Sequence, residues 1–86
     1  MKRENLLQAF ESLLSQLSID LRYEKGDFSG GLCKMPDRNL IIINSNLPLE
    51  QKINLIASEL CLLELNHIYI RPVLREIISK AHETNP

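Results

Sequence analysis

Tryptophan is absent, and Phe10, Tyr23, Phe28 and Tyr69 are the only aromatic residues. A core without large rings has to be built from leucine and isoleucine. Cysteine is sparse too, with Cys33 and Cys61 alone. A secreted chain of this size usually carries four or more. Two thiols, one in an expected strand and one in an expected helix, read as reduced and partly buried in a cytoplasmic protein. Positive charge is not in excess: 10 Lys and Arg stand against 11 Asp and Glu. Beyond Lys2-Arg3 and the scattered Arg71 and Arg75 there is no basic cluster to displace counterions from phosphates, so nucleic acid is not an expected partner. The aromatic-plus-basic pattern of single-strand binders is missing as well. No apolar run approaches the roughly 18 residues of a membrane span. The start, Met-Lys-Arg-Glu-Asn, lacks the apolar stretch of a signal peptide.

Eighty-six residues make a single domain, 1–86. A chain this short buries only about 60–65% of its unfolded surface, so it has little stability to spare. Leu6, Phe10, Leu13, Leu14 and Leu17 recur at spacings of three and four, which predicts an amphipathic helix over 4–17. Leu7 widens its apolar face enough for a dimerisation stripe. Ile19 to Lys25 alternates, with Ile19, Leu21 and Tyr23 on one side, and reads as a half-buried strand. The glycines Gly26, Gly30 and Gly31 fall in the turn-rich loop that follows. The bland reading of that loop is a hairpin connection. The functional one is a ligand approaching the backbone. A phosphate loop is excluded, because no Gly-Lys-Ser/Thr and no helix follow.

Leu32 to Met35 is a short strand, and Pro36-Asp37-Arg38-Asn39 a turn opened by proline. Leu40 to Asn44 is the most apolar strand, and its continuous run suggests cover on both faces. Pro48 and Glu50 then suit the start of a helix running to about Asn66. Ile53, Ile56, Leu60 and Leu63 form one apolar face of it, and Leu55, Leu62 and Leu65 a second. His67 to Ile70 is an extended connector. Pro72 opens a last helix, Val73 to about His82, with Leu74, Ile77, Ile78 and Ala81 inward. Residues 83–86 read as a frayed tail.

Chemistry-bearing residues are few. Cys33, Cys61, His67 and His82 are not paired at zinc-ligand spacing, so no metal or other cofactor is expected. Glu64-x-x-His67 matches one fragment of a di-iron helix, and the rest of such a site is lacking. Cys61 and His67, six apart, point in different directions on one helix. A buried thiol acting as a small hydrophobe is the commoner role. Glu59 stands out, since it falls between the two apolar patches of the long helix. A carboxylate there either ion-pairs or raises its pKa. The bland reading pairs it with Lys52, Arg38, Arg71 or Arg75, and Glu59→Ala would then destabilise the fold. The functional reading makes Glu59 a general acid/base or a cation site.

The Ile-rich strand ending in Asn44, followed by a helix with Ala57-Ser58-Glu59-Leu60, resembles the small gluzincin metallopeptidases. These are minimal zincin domains related to phage-repressor-inactivating and stress-response proteases. The resemblance covers about Gly30 to Leu65. In that family the helix carries His-Glu-x-x-His, whose two His bind zinc while the Glu activates water. Glu59 matches the Glu, whereas Ser58 and Leu62 occupy the two ligand positions. The resemblance thus implies the fold and argues against the activity. A looser likeness to small uncharacterised bacterial proteins rests on Gly30-Gly31-x-Cys33, Ile43-Asn44 and Pro72-Val73-Leu74-Arg75, and it implies no function.

The expected fold is α+β: an N-terminal helix, a three-stranded antiparallel meander, a long central helix and a short C-terminal helix, on a zincin-like core. The expected function is a non-catalytic zincin-like module acting through protein contacts, as a homodimer or with another protein. The alternative is a small enzyme or ligand-binding protein with a cleft near Glu59 and the Gly26–Gly31 loop.

Overall fold

The computed structural model describes residues 2–84. In order these form α1 (Arg3–Gln16), β1 (Ile19–Glu24), β2 (Gly30–Lys34), β3 (Asn39–Asn44), α2 (Leu49–Leu60) and α3 (Pro72–Thr84). The class is α+β, as expected.

On α1, Leu6, Phe10, Leu13 and Leu14 are buried, the stripe that their spacing requires. The helix closes as the Leu17 N–H reaches back to the carbonyls of Leu13 and Leu14. Ser18 then takes φ 60, the left-handed conformation that commonly ends helices. That single reversal feeds the chain straight into β1.

The sheet is mixed, with strand order β1-β3-β2. β1 runs parallel to β3, with Leu21 opposite Ile41, and β2 runs antiparallel to it, with Leu32 also opposite Ile41. This corrects the expected antiparallel meander, since β1 and β2 are not neighbours. The cause lies in what each strand can bury. The middle place falls to the Ile-rich strand, whose Ile41 and Ile43 are completely buried. β1 carries Asp20, Arg22 and Glu24, charges that suit an edge. To reach the far edge, residues 25–29 cross over the end of β3.

Asn44 fastens that crossing. Its Nδ2 donates to the carbonyls of Gly26 and Phe28, both at 2.7 Å, and its Oδ1 accepts the Asn46 N–H at 3.0 Å. Its own N–H donates to the Ser29 carbonyl at 3.0 Å. Among buried residues of the core Asn44 is the polar one, only 8% exposed. Gly30 completes the path at φ 137, where a Cβ would run into the Ile42 carbonyl.

Both α1 and α2 lie on the Ile41/Ile43 face. Tyr23, in register with Ile43, hydrogen-bonds Glu11 of α1 and sits under Lys52 of α2. Among the described residues α3 packs on the two other helices and approaches no strand. None of these helices therefore covers the opposite sheet face, and Leu40 and Ile42 stay half-buried there. This corrects the expectation that both faces of β3 are covered.

The long central helix is also corrected. α2 has 12 residues, fewer than α1 with 14 or α3 with 13. Its end tightens as Leu62 and Leu63 donate to the carbonyls of Glu59 and Leu60, three residues back. Leu65 explains why: on a continued helix it would point about 140° away from Leu60. By turning out of the helix, the chain returns Leu65 and then Ile70 to the core, where both are buried. Pro72 restarts helix, and α3 buries Leu74 and Ile78 with Ile77 and Ala81 against the same core. α3 reaches into the stretch expected to fray, and residues 85 and 86 of that tail lie outside the described residues.

Asn44→Ala removes three hydrogen bonds and strands two carbonyls, so a loss of about 2–4 kcal/mol is expected in urea unfolding. Asn44→Asp keeps the shape but loses both donors, and its midpoint is expected to fall by a similar amount.

Candidate functional site

Glu59 lies in the last turn of α2, and Gly31 of β2 is its neighbour across the fold. Its Oε1 is 3.9 Å from where a Cβ on Gly31 would stand, an ordinary contact distance. The expected ion pairs do not form. Arg38 Nε instead meets Asp20 Oδ2 at 3.0 Å, and Lys52 Nζ lies 5.5 Å from the centre of the Tyr23 ring. Among the described residues Glu59 has no ion-pair partner within 4 Å. The sequence projection enclosed Glu59 between two apolar patches of one long helix. Because the helix stops one residue later, the second patch never assembles and the carboxylate is left half-exposed.

The expected Gly26–Gly31 loop is shorter than foreseen, since Gly30 and Gly31 open β2. Beside it lies a cleft of about 480 Å³, walled by Phe28, Gly30, Gly31, Cys33, Ile42 and Glu24. Glu59 is not part of that wall. Among the described residues the one carboxylate there, Glu24, faces Arg22 Nε at 3.8 Å. Cys33 is exposed with no histidine beside it in this cleft. The arrangement is apolar and open, without an acid–base or nucleophile–base pair.

The other candidates lie apart. Cys61 is half-buried, its thiol donating to the Ser58 carbonyl at 2.9 Å. His67 Nδ1 meets Glu64 Oε2 at 3.2 Å on the surface. The Glu64 carboxyl is held below its ordinary range chiefly by the Asn66 N–H, with His67 adding to the effect. One juxtaposition was not visible in sequence: Cys61, Glu64, Arg75 and His82 border a common groove between the end of α2 and α3. Sequence separation hid it, since Cys61 follows the end of α2 and His82 lies in α3. Among the described residues no three His, Cys, Asp or Glu side chains are grouped to hold a metal.

The zinc that a gluzincin resemblance implies does not fit these residues. Ser58 offers only a neutral hydroxyl, a poor zinc ligand. Leu62 has no donor atom, lies beyond the helix end and is 72% exposed. Two ligands on successive turns of one helix are the requirement, and here the second turn is not helical. A gluzincin zinc site cannot be built on Ser58 and Leu62.

Tyr23 was not singled out by the sequence and proves to be a junction. Its hydroxyl donates to Glu11 Oε2 at 2.6 Å. Desolvation beneath the helices pushes its pKa well above the usual tyrosine value, and the hydrogen bond and charge of Glu11 push it further the same way.

Comparison with family models, curated proteins and solved structures finds no match to this chain. Among the described residues no helix is long and apolar enough to cross a membrane.

Two outcomes follow from this geometry. An unpaired, half-exposed Glu59 is dispensable, so Glu59→Ala is expected to shift stability by no more than about 0.5 kcal/mol in chemical unfolding. A drop several times larger would show a hidden partner. For Tyr23, protonated in both states below a pH of about 10, the contribution to stability is complete there. Above that pH the unfolded tyrosine releases its proton while the folded one holds it, so stability falls as pH rises. Tyr23→Phe is expected to flatten that alkaline limb relative to wild type in melts taken across it.

Proposed function

We propose that the chain is a non-catalytic zincin-like module that works through protein contacts. The observation carrying this reading is the early end of α2. It leaves a peptidase-like Glu59 on the last turn and puts Leu62, at the second ligand position, into solvent. The order strand, corner, helix around that glutamate supports the zincin likeness, as does the closeness of Glu59 to Gly31 of β2.

Contact chemistry is supported by where apolar surface remains. Leu7, Leu17, Leu55 and Leu63, from the expected apolar faces of the helices, pack against the chain's own core. Phe28, Met35, Leu62 and Tyr69 are exposed instead, Tyr69 by 77%. The surface for a partner, a second copy included, therefore lies off the helical stripes that first motivated a dimer. A reducing, cytoplasmic setting goes with the proposal, since Cys33 and Cys61 are both free thiols.

A second reading draws on the loop cleft, whose apolar walls suit a small apolar ligand. As Glu59 stands outside those walls, binding there would not bring an acid–base group to the ligand.

The test is metal uptake together with hydrolysis. After incubation with excess zinc and dialysis, elemental analysis is expected to find well under one zinc per chain, and a general protein substrate should stay uncleaved. One tightly held zinc per chain with measurable proteolysis would overturn the proposal.

A further inference from the structure

The two edges of the sheet are protected unequally. Charged Asp20, Arg22 and Glu24 alternate along β1, as edge strands that avoid pairing commonly do. β2 reads Gly30-Gly31-Leu32-Cys33-Lys34, with one charge, at its end. The ladder shows which of its backbone groups are engaged. The Ser29 carbonyl accepts from Asn44 and the Met35 N–H donates to Arg38, so the odd-numbered residues bond toward β3. In an antiparallel ladder the alternate residues turn their N–H and C=O outward. Those residues are Gly30, Leu32 and Lys34, and among the described residues no hydrogen bond from a loop or side chain reaches them.

We infer that this edge of β2 pairs antiparallel with the same edge of a second copy, about a two-fold axis at Leu32, joining two sheets into one. The inference deepens the protein-contact reading and rests on it. Register selects the axis. Centred on Leu32, the outward residues pair as Gly30 with Lys34, Leu32 with Leu32 and Lys34 with Gly30, which engages every free group of the strand. Sliding the axis by one residue leaves part of them unmatched.

Charge does not oppose the same register. Lys34 is exposed and makes no ion pair among the described residues. In the paired state it stands opposite Gly30 of the other copy, not opposite a second lysine, so no like charges face each other across the axis. Each half-buried Leu32 also gains an apolar neighbour across the axis. A small domain with a thin core is the kind of chain that such an interface stabilises.

The test combines sedimentation equilibrium from micromolar to millimolar protein with two variants. Wild type is expected to dimerise with rising concentration. Lys34→Pro removes an outward N–H without touching the bonds to β3. It is expected to weaken the dimer by about tenfold or more, with little change in melting of the dilute monomer. Gly31→Cys probes the register directly. A Cβ there has ordinary room, and across the axis Gly31 faces Cys33 in a close, non-hydrogen-bonded pair suited to a disulfide. Oxidised Gly31→Cys is expected to run as a covalent dimer, and Gly31→Cys with Cys33→Ser is not. A monomer at every concentration overturns the inference. So does a dimer that survives Lys34→Pro and resists cross-linking through Gly31→Cys. That second outcome places the contact elsewhere and leaves the module reading standing, whereas zinc uptake with proteolysis would remove the module reading by itself.

Discussion

The amide of Asn44 gives both its N–H donors to the carbonyls of Gly26 and Phe28, while its oxygen holds the N–H of Asn46. Much else depends on those bonds. A chain that leaves β1 and must reach the far edge of the sheet has to cross the end of β3. The crossing segment cannot join the ladder, so its carbonyls need donors from elsewhere. A backbone carbonyl left without one beside a core costs about 1–3 kcal/mol. Asn44 stands at the last position of the strand being crossed and meets that need. Aspartate would lack the donors, and glutamine would carry its amide one bond too far.

With the crossing secured, β3 can sit between two partners of opposite direction. Ile41 and Ile43 are then enclosed by strands on both sides and by α2 above, with α1 alongside over β1. Tyr23 ties the same layer together at the rim through Glu11 and Lys52. The reverse face has no helix, which leaves Leu40 and Ile42 half-buried and opens the cleft beside Phe28. One topological choice thus accounts for the filled core, the open face and the weakly defended β2 edge.

Glu59 shows how a local reading can identify a residue and mistake its surroundings. Its place on a helix, its Ser58 and Leu62 neighbours and its distance from any histidine pair were all legible, because they follow from residue type and spacing. The ion pair was not. It was inferred from a helix carried on to Asn66, and the Leu-rich sequence contains no proline or glycine between Leu60 and Asn66 to stop it. What stops it is the demand of the core for Leu65, a requirement set by elements distant in sequence. The groove shared by Cys61 and His82 was hidden for the same reason.

By itself the sequence determined the α+β class, the stripe of α1, the three strands, the turn at Pro36 and the restart at Pro72. Each of these rests on periodicity, backbone restriction or composition, and those act within a few residues. It also determined that Ser58 and Leu62 cannot stand in for two zinc-binding histidines. Tertiary structure alone decided that β1 lies parallel to β3, that α2 ends at Leu60 and that Glu59 faces Gly31 without a cation. Strand order and helix length are settled by which side chains must be buried together. That competition runs across the whole chain, and no local window contains it.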